Sequence, residues 1–423
     1  MYDFKNLSEK CVKCGKCIPT CTIHNINSDE VTSPRGFLDL LGSVERGELE
    51  LDKSAKDIFE SCFLCTSCVD VCNDSLPTDT AIENMRYKIA QKFGITWYKK
   101  AAFWFLGHRK ILDLCARLGY FFVDCGFKIQ KDSERGNTMK PRFSIPLMKK
   151  ERTLPTVSKK SFMNSHKEFI DNGGDRTIGL FIGCMGNYAY TSIGEAFLKI
   201  AKELKINVHL MKKQACCGAP QYFTGDFKSV EKNAKFNIEY FEKMLQNIEA
   251  IVVPEATCSG MLKVDYVHFF ENDDEWRARA KAVASKIYLA TEFFDKQTNL
   301  REILSTRGKI GQKITYHDPC HSRKMQGIWR EPRNLLSQNY EIVEMPNADQ
   351  CCGFGGVTMQ TEKYHLSRKA GQDKVKTLQD SELGVVSAEC SACRMQLNNA
   401  FGIAQIDMKC VNPLELIAKA LGD

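Results

Sequence analysis

Twenty of the 423 residues are cysteine, and most of them stand in short clusters that recur along the chain. CVKCGKCIPTC, residues 11–21, has the same cysteine spacing as CFLCTSCVDVC, residues 62–72. Thiolates are good ligands for soft metals, provided that they are reduced and unpaired. The opening MYDFKNLSEK holds no apolar run of the kind an export signal needs, so a reducing cytoplasm is the expected setting. Clustered thiols at short spacing are then read as metal ligands rather than as disulfide partners.

Each run reads C-x2-C-x2-C-x3-C. Three cysteines two apart let a short loop wrap one face of a cubane cluster, and the fourth stands too far along to close the same one. In two-cluster ferredoxins that fourth cysteine serves the other cluster. Cys11, Cys14, Cys17 and Cys72 are therefore assigned to one [4Fe–4S] cluster, and Cys62, Cys65, Cys68 and Cys21 to a second. Thr22 and Asn73 stand where the ferredoxin pattern has proline, with Pro19 and Pro77 nearby. The competing reading of these quartets is a pair of structural zinc sites.

A second arrangement fills the rest of the chain. Cys184, the pair Cys216–Cys217 and Cys258 recur as Cys320, Cys351–Cys352 and Cys390, with Cys393 added and Met261 taken to stand in its place in the first copy. All nine cysteines are candidate metal ligands, and Met261 is expected to pack. Glycine after each cysteine pair lets the backbone turn so that both thiols reach one site, or one ligates while the other supports. The run GFGG, residues 353–356, is read as close backbone approach to a cluster rather than phosphate binding. His317, Asp318 and His321 flank Cys320 as hydrogen-bond partners of sulfur or as proton carriers. Cys115, Cys125 and Cys410 fit no pattern and are expected to be buried thiols.

The elements that must position these residues follow from hydrophobic patterning. GLFIG, INVHLM, AIVVP, KITYH, YEIVEM and GVVSA read as buried strands, separated by helices such as SIGEAFLKIAKEL. That alternation argues α/β modules with parallel sheets, and it sets each cysteine group just past the carboxyl ends of the strands. The N-terminal part instead reads as an all-α helical ferredoxin domain, with a helix capped at Ser33 and helices from about Lys56 to Ile89. The expected divisions are 1–127 for that domain, 128–175 for a linker rich in Lys, Arg, Pro and Ser, 176–300 for the first module and 301–423 for the second. Residues 101–127 are strongly apolar but carry too many charges to span a bilayer. They read as an amphipathic helix packed on its own core, or as a surface for a partner or a membrane interface. The net charge of +7 permits an acidic or membrane partner and marks no nucleic-acid binder.

These landmarks resemble the CCG-domain iron–sulfur proteins. The order Cys, CCG, CxxC is similar to that of the CCG-bearing polypeptide of heterodisulfide reductase. Two ferredoxin clusters followed by two such modules resemble the iron–sulfur subunit of glycolate oxidase, the lactate-oxidation iron–sulfur proteins and the iron–sulfur subunit of anaerobic glycerol-3-phosphate dehydrogenase. TSPRGFLDL, DPCHSRKMQGIWREPRNLL and CCGFGG match the glycolate and lactate branch best. The resemblance implies an electron-transfer subunit of an oxidoreductase complex. It would pass electrons from a flavoprotein 2-hydroxy-acid dehydrogenase to a quinone or other membrane acceptor, peripherally on the inner face of the cell membrane. The five cysteines of the second module are expected to hold a further iron–sulfur cluster, and the first module, with one ligand fewer, a more labile cluster or a different metal. No GxGxxG opens a dinucleotide-binding βαβ unit here, which agrees with a separate flavoprotein. The alternatives are disulfide reduction at the second module, service to a glycerol-3-phosphate dehydrogenase, or a docking scaffold whose modules hold zinc or nothing.

Overall fold

The computed structural model describes residues 7–130, 138–144, 148–378 and 383–422. Every element described between residues 7 and 126 is a helix. Helix α1 (Pro34–Glu45) begins where Ser33 leaves extended backbone, its hydroxyl accepting the Gly36 N–H at 3.0 Å. Asp52 caps α2 (Lys53–Glu60) in the same way through the Ala55 N–H at 2.8 Å. These helices and α3 (Thr78–Phe93) bury Phe37, Leu41, Phe59, Ile82 and Met85 in one core. Between them, the two cysteine runs form loops.

The apolar stretch from residue 101 is not one helix. It divides at His108 into α4 (Trp97–Gly107) and α5 (Arg109–Gly126), and no residue of α5 is buried. Cys115 and Cys125 are therefore exposed thiols, against the expectation, because α5 meets the body along one flank only.

Residues 128–175 also depart from a plain linker. Strands β1 (Phe127–Gln130), β2 (Thr138–Pro141) and β3 (Leu154–Pro155) make a small antiparallel sheet. Beside it Arg152 donates to the Gln360 carbonyl at 2.8 Å, and the Thr153 N–H to Asn399 Oδ1 at 2.9 Å. Strand β4 (Phe169–Ile170) then pairs antiparallel with the first module's sheet, so that sheet starts before residue 176. Strands this short leave little periodicity to read.

The first module continues with β5 (Thr177–Leu180), α6 (Thr191–Glu203), β6 (Asn207–Leu210), β7 (Ile251–Val253), α7 (Ala256–Gly260) and β8 (Ile287–Leu289). Its strand order is β4-β6-β5-β7-β8, parallel apart from β4. The second module holds β9 (Lys313–Tyr316), α8 (Cys320–Gln326), β10 (Glu341–Ile342), β11 (Val385–Ser387), α9 (Ser391–Ala404), β12 (Lys409–Val411) and α10 (Pro413–Ala420). Its order, β10-β9-β11-β12, is all parallel and repeats the first. The edge strands β8 and β12 were not among the six expected, and Cys410 is buried on β12 as expected. One core joins Ile178 and Leu180 to Ile314 and Tyr316, with α10 packed on α6.

A single buried arginine ties the N-terminal helices to the first module. Arg86 on α3 donates to the carbonyls of Phe59, Glu60 and Cys62 on its own side and of Phe223 across the interface, at 2.6–3.3 Å. Gly225 makes room for this contact, since a Cβ there would stand 2.3 Å from the Arg86 carbonyl oxygen. Replacing Arg86 with methionine keeps the bulk and strands those carbonyls without donors. We expect a loss of about 2–4 kcal/mol, read as a lower denaturation midpoint, with proteolysis opening the N-terminal domain first.

Candidate functional site

In each module the strand order reverses between the first and third strands, and the carboxyl ends of the strands frame a crevice there. Cys184, Cys216–Cys217 and Cys258 follow β5, β6 and β7. Cys320, Cys351–Cys352 and Cys390 with Cys393 follow β9, β10 and β11. Segments distant in sequence thus converge at one point in each sheet.

In the first group Cys184 lies against Cys216, Cys216 against Cys217 and Cys217 against Cys258. Gly183, at φ +71°, leaves the space that Cys258 Sγ approaches. The Cys216 thiol beside it and then burial push Cys184 well above the ordinary thiol range. Gly218, at φ +93°, makes the turn after the pair, and Tyr266 donates its hydroxyl to the Cys217 carbonyl at 2.8 Å.

The second group is larger. Cys320 lies against Cys351, and Cys352 Sγ is 3.3 Å from Cys393 Sγ. Gly353, at φ +87°, turns the chain so that its own N–H donates to Cys351 Sγ at 3.4 Å. His321 Nδ1 is 3.4 Å from Cys320 Sγ. The Cys351 thiol, with His321 adding to it, holds Cys320 well below the ordinary range. His317 faces the Ala348 carbonyl through Nδ1 at 3.1 Å, and His317, Cys352 and Cys393 bring one donor atom each within 4.8 Å of one another. Both histidines are thus at sulfur, as the sequence suggested.

The N-terminal runs line two cavities. Cys21, Cys62, Cys65 and Cys68 surround one, and Cys11, Cys14, Cys17 and Cys72 surround the other, with Cys68 on the wall of both. These are the two quartets that the crossed assignment names. Cys65, on the wall of its cavity, also meets Cys351 of the second module. The Cys351 thiol, and after it the charge of Lys324, brings Cys65 down to about 6. Lys324 is nearly buried and also donates to Ser67 Oγ at 2.6 Å. Gly355 explains the closeness, for a Cβ on it would stand 2.7 Å from the Phe63 ring. The GFGG run thus approaches the thiols through the Gly353 N–H on Cys351 Sγ, and at Gly355 it also admits the Cys62–Cys68 loop.

Two readings need correction. Met261 packs in the core as expected, but it does not occupy the place of a fifth cysteine. Ladder register sets Val252 beside Leu180 and Ser387 beside Tyr316, and Cys184 and Cys320 each stand four residues past those partners. Glu255 is then the counterpart of Cys390, and Cys258 that of Cys393. The backbone agrees, since Glu255 and Cys390 both precede a helix with φ near −150° and ψ near +115°. Aligning the Cys258–Ser259 and Cys390–Ser391 pairs in sequence hides this offset. The Glu255 carboxylate instead accepts the Ser391 N–H at 2.8 and 3.0 Å, at the start of α9. Thr257 Oγ1 lies 3.4 Å from Cys390 Sγ, so the two cysteine groups approach each other here.

Asp318 is neither a sulfur partner nor a free proton carrier. It is fully buried and accepts from Arg323 and Arg333, each at 2.6 Å. Asp318→Ala should lower stability by about 1–3 kcal/mol, because it removes the buried acceptor that Arg323 and Arg333 share, although Arg333 keeps Glu344 and Arg323 reaches solvent. Iron content of the protein folded in the cold should not change. An unchanged denaturation midpoint would refute the structural role.

Comparison with known proteins agrees with these groups. Residues 178–263 and 314–398 match the family "Cysteine-rich domain" (CCG), and residues 7–76 match the "4Fe-4S dicluster domain". A lactate utilization protein A from Anoxybacillus flavithermus is 32% identical over 223 residues, which is 52% of this chain and 90% of that protein. The probable glycolate oxidase iron-sulfur subunit of Bacillus subtilis is 27% identical over 401 residues, 92% of this chain and 87% of its own. Among solved structures, a glutamate racemase from Francisella tularensis covers 59% of this chain and 79% of its own at 14% identity, with a TM-score of 0.26 that is too low to show a shared fold. The cysteine groups built by strand ends and helix loops are those of an iron–sulfur protein, and this chain belongs to the family that joins a 4Fe–4S dicluster domain to duplicated CCG domains.

Proposed function

We propose that this chain is an electron-transfer subunit, carrying electrons from a flavoprotein that oxidises glycolate or lactate toward the quinone pool at the membrane. The observation that carries the reading is contiguity. The two N-terminal cavities share Cys68, Cys65 of the second touches Cys351, and Thr257 beside Cys258 touches Cys390. Four thiol groups thus stand in one unbroken line through the protein.

In this reading Cys11, Cys14, Cys17 and Cys72 hold one [4Fe–4S] cluster, and Cys21, Cys62, Cys65 and Cys68 hold the other. Cys320, Cys351, Cys352, Cys390 and Cys393 hold a further iron–sulfur cluster, not necessarily all ligating. Cys184, Cys216, Cys217 and Cys258 hold a metal in the first module. Iron–sulfur clusters, when bound, take and release electrons singly. A hydroxy acid gives up two electrons together, so the partner upstream is a flavoprotein able to split the pair. The names of the relatives supply the two candidate substrates. Disulfide reduction at the second module has less support, since Cys351, Cys352, Cys390 and Cys393 are all buried and the N-terminal domain covers Cys351.

Two experiments test this. In anaerobically prepared protein, Cys14→Ser and Cys65→Ser should each remove a different [4Fe–4S] signal, and loss of the same signal in both would break the crossed assignment. Reconstituted with its flavoprotein, the wild-type chain should couple hydroxy-acid oxidation to quinone reduction. Cys65→Ser should stop that step while the flavoprotein still reduces an artificial dye. Quinone reduction at full rate without this chain would overturn the relay.

A further inference from the structure

Helix α5 is amphipathic the wrong way round for a packed helix. Eighteen residues make it about 27 Å long, and none of them is buried. At 100° per residue, Ile111, Leu114, Leu118, Phe121 and Phe122 fall within an arc of about 100°. All five are exposed among the described residues, with Leu114 at 58% and Phe122 at 65%. The opposite flank holds the helix to the body. Arg109 donates to the Lys212 carbonyl at 3.1 Å, and Asp113 accepts from Asn164 at 3.1 Å. The apolar stripe is thus held facing away from the protein.

Positive charge is concentrated in the same part of the sequence. Residues 97–160 contain 15 of the 59 Lys and Arg but 5 of the 52 Asp and Glu, a net charge of +10 against +7 for the whole chain, so the remainder sums to −3. Some of these cations border the stripe directly. Lys159 stands 5.9 Å from the Phe121 ring, and Arg117 and Lys110 are exposed on α5 itself. An apolar stripe with aromatic side chains and flanking cations suits the boundary between the headgroups and acyl chains of an anionic bilayer. No described helix is long and apolar enough to cross one.

We propose that α5 lies in the plane of an anionic membrane surface and seats the protein there. The stripe enters the interface, while the exposed Lys110, Arg117 and Lys159 beside it meet acidic headgroups. The inference rests on the reading that electrons leave for a membrane acceptor, and it names the element that brings the chain to that acceptor. Binding and electron flow can be measured separately, so each can fail alone.

The test is co-sedimentation of the cluster-loaded full chain with vesicles of phosphatidylcholine alone or mixed with phosphatidylglycerol, in the absence of any electron donor. The wild-type chain should bind the mixed vesicles, bind the neutral ones weakly, and be released by salt. Leu118→Glu combined with Phe122→Glu should lower binding on the order of tenfold or more. The exposed Leu49→Glu, elsewhere on the chain, should change nothing. Unaltered iron content and denaturation midpoint show that the double variant is folded. No vesicle binding by the wild-type chain, or full binding by the double variant, overturns the proposal. So does loss of flavoprotein binding or of self-association with vesicle binding intact, which would give the stripe to a protein partner. Quinone reduction with a water-soluble quinone reports separately on the relay and does not require the membrane.

Discussion

Phe63 rests where Gly355 has no side chain, and the meeting of the N-terminal thiols with those of the second module depends on that fit. With a methyl group at position 355 the Cys62–Cys68 loop would have to withdraw, and Cys65 would leave Cys351. Arg86 secures the same loop from behind through the Cys62 carbonyl. Lys324 secures it from the second module through Ser67. A buried lysine beside several thiols also answers an electrostatic need, because thiolates taken out of water require positive partners close by. Packing and charge therefore act on the same few residues.

Duplication supplied two crevices of one design, and the chain uses them unequally. The second has five thiols, with two histidines at sulfur. The first has four, and Glu255 stands at the position of the fifth. That carboxylate caps the helix that carries Cys393, while Glu389 of the second module accepts the Thr291 N–H of the first at 3.0 Å. Burial raises both carboxyl groups, Glu389 to about 8. Each module thus completes a helix start in the other, which binds the two sheets into one body.

The segment between the N-terminal domain and the modules has more to do than span a distance. Its small sheet packs on the second module through Arg152 and Thr153, and β4 closes an edge of the first. With α5 it gathers most of the chain's excess positive charge on a stretch that holds no candidate ligand. The cysteines of the two modules lie within the body, those of residues 11–17 reach its surface, and the basic, apolar segment holds none of them.

Much was legible in the sequence because it is local. Ligand spacing within ten residues, the Ser33 cap, the glycine after each cysteine pair and the strand–helix alternation all act over one or two turns of chain, where residue type dictates backbone geometry. The four cysteine-bearing stretches could therefore be picked out beforehand as candidate ligands. Three features could not be. The equivalence of Glu255 and Cys390 depends on ladder register, which shifts by residues without changing the apolar pattern. The exposure of Cys115 and the α5 stripe depends on which flank of an amphipathic helix finds a partner, and periodicity does not record that. The meeting of Cys65 with Cys351 needs three packed bodies and an absent side chain at Gly355. The sequence by itself determined which residues could hold clusters; only tertiary packing decided which groups touch, because contact between distant segments is set by complementary surfaces rather than by spacing.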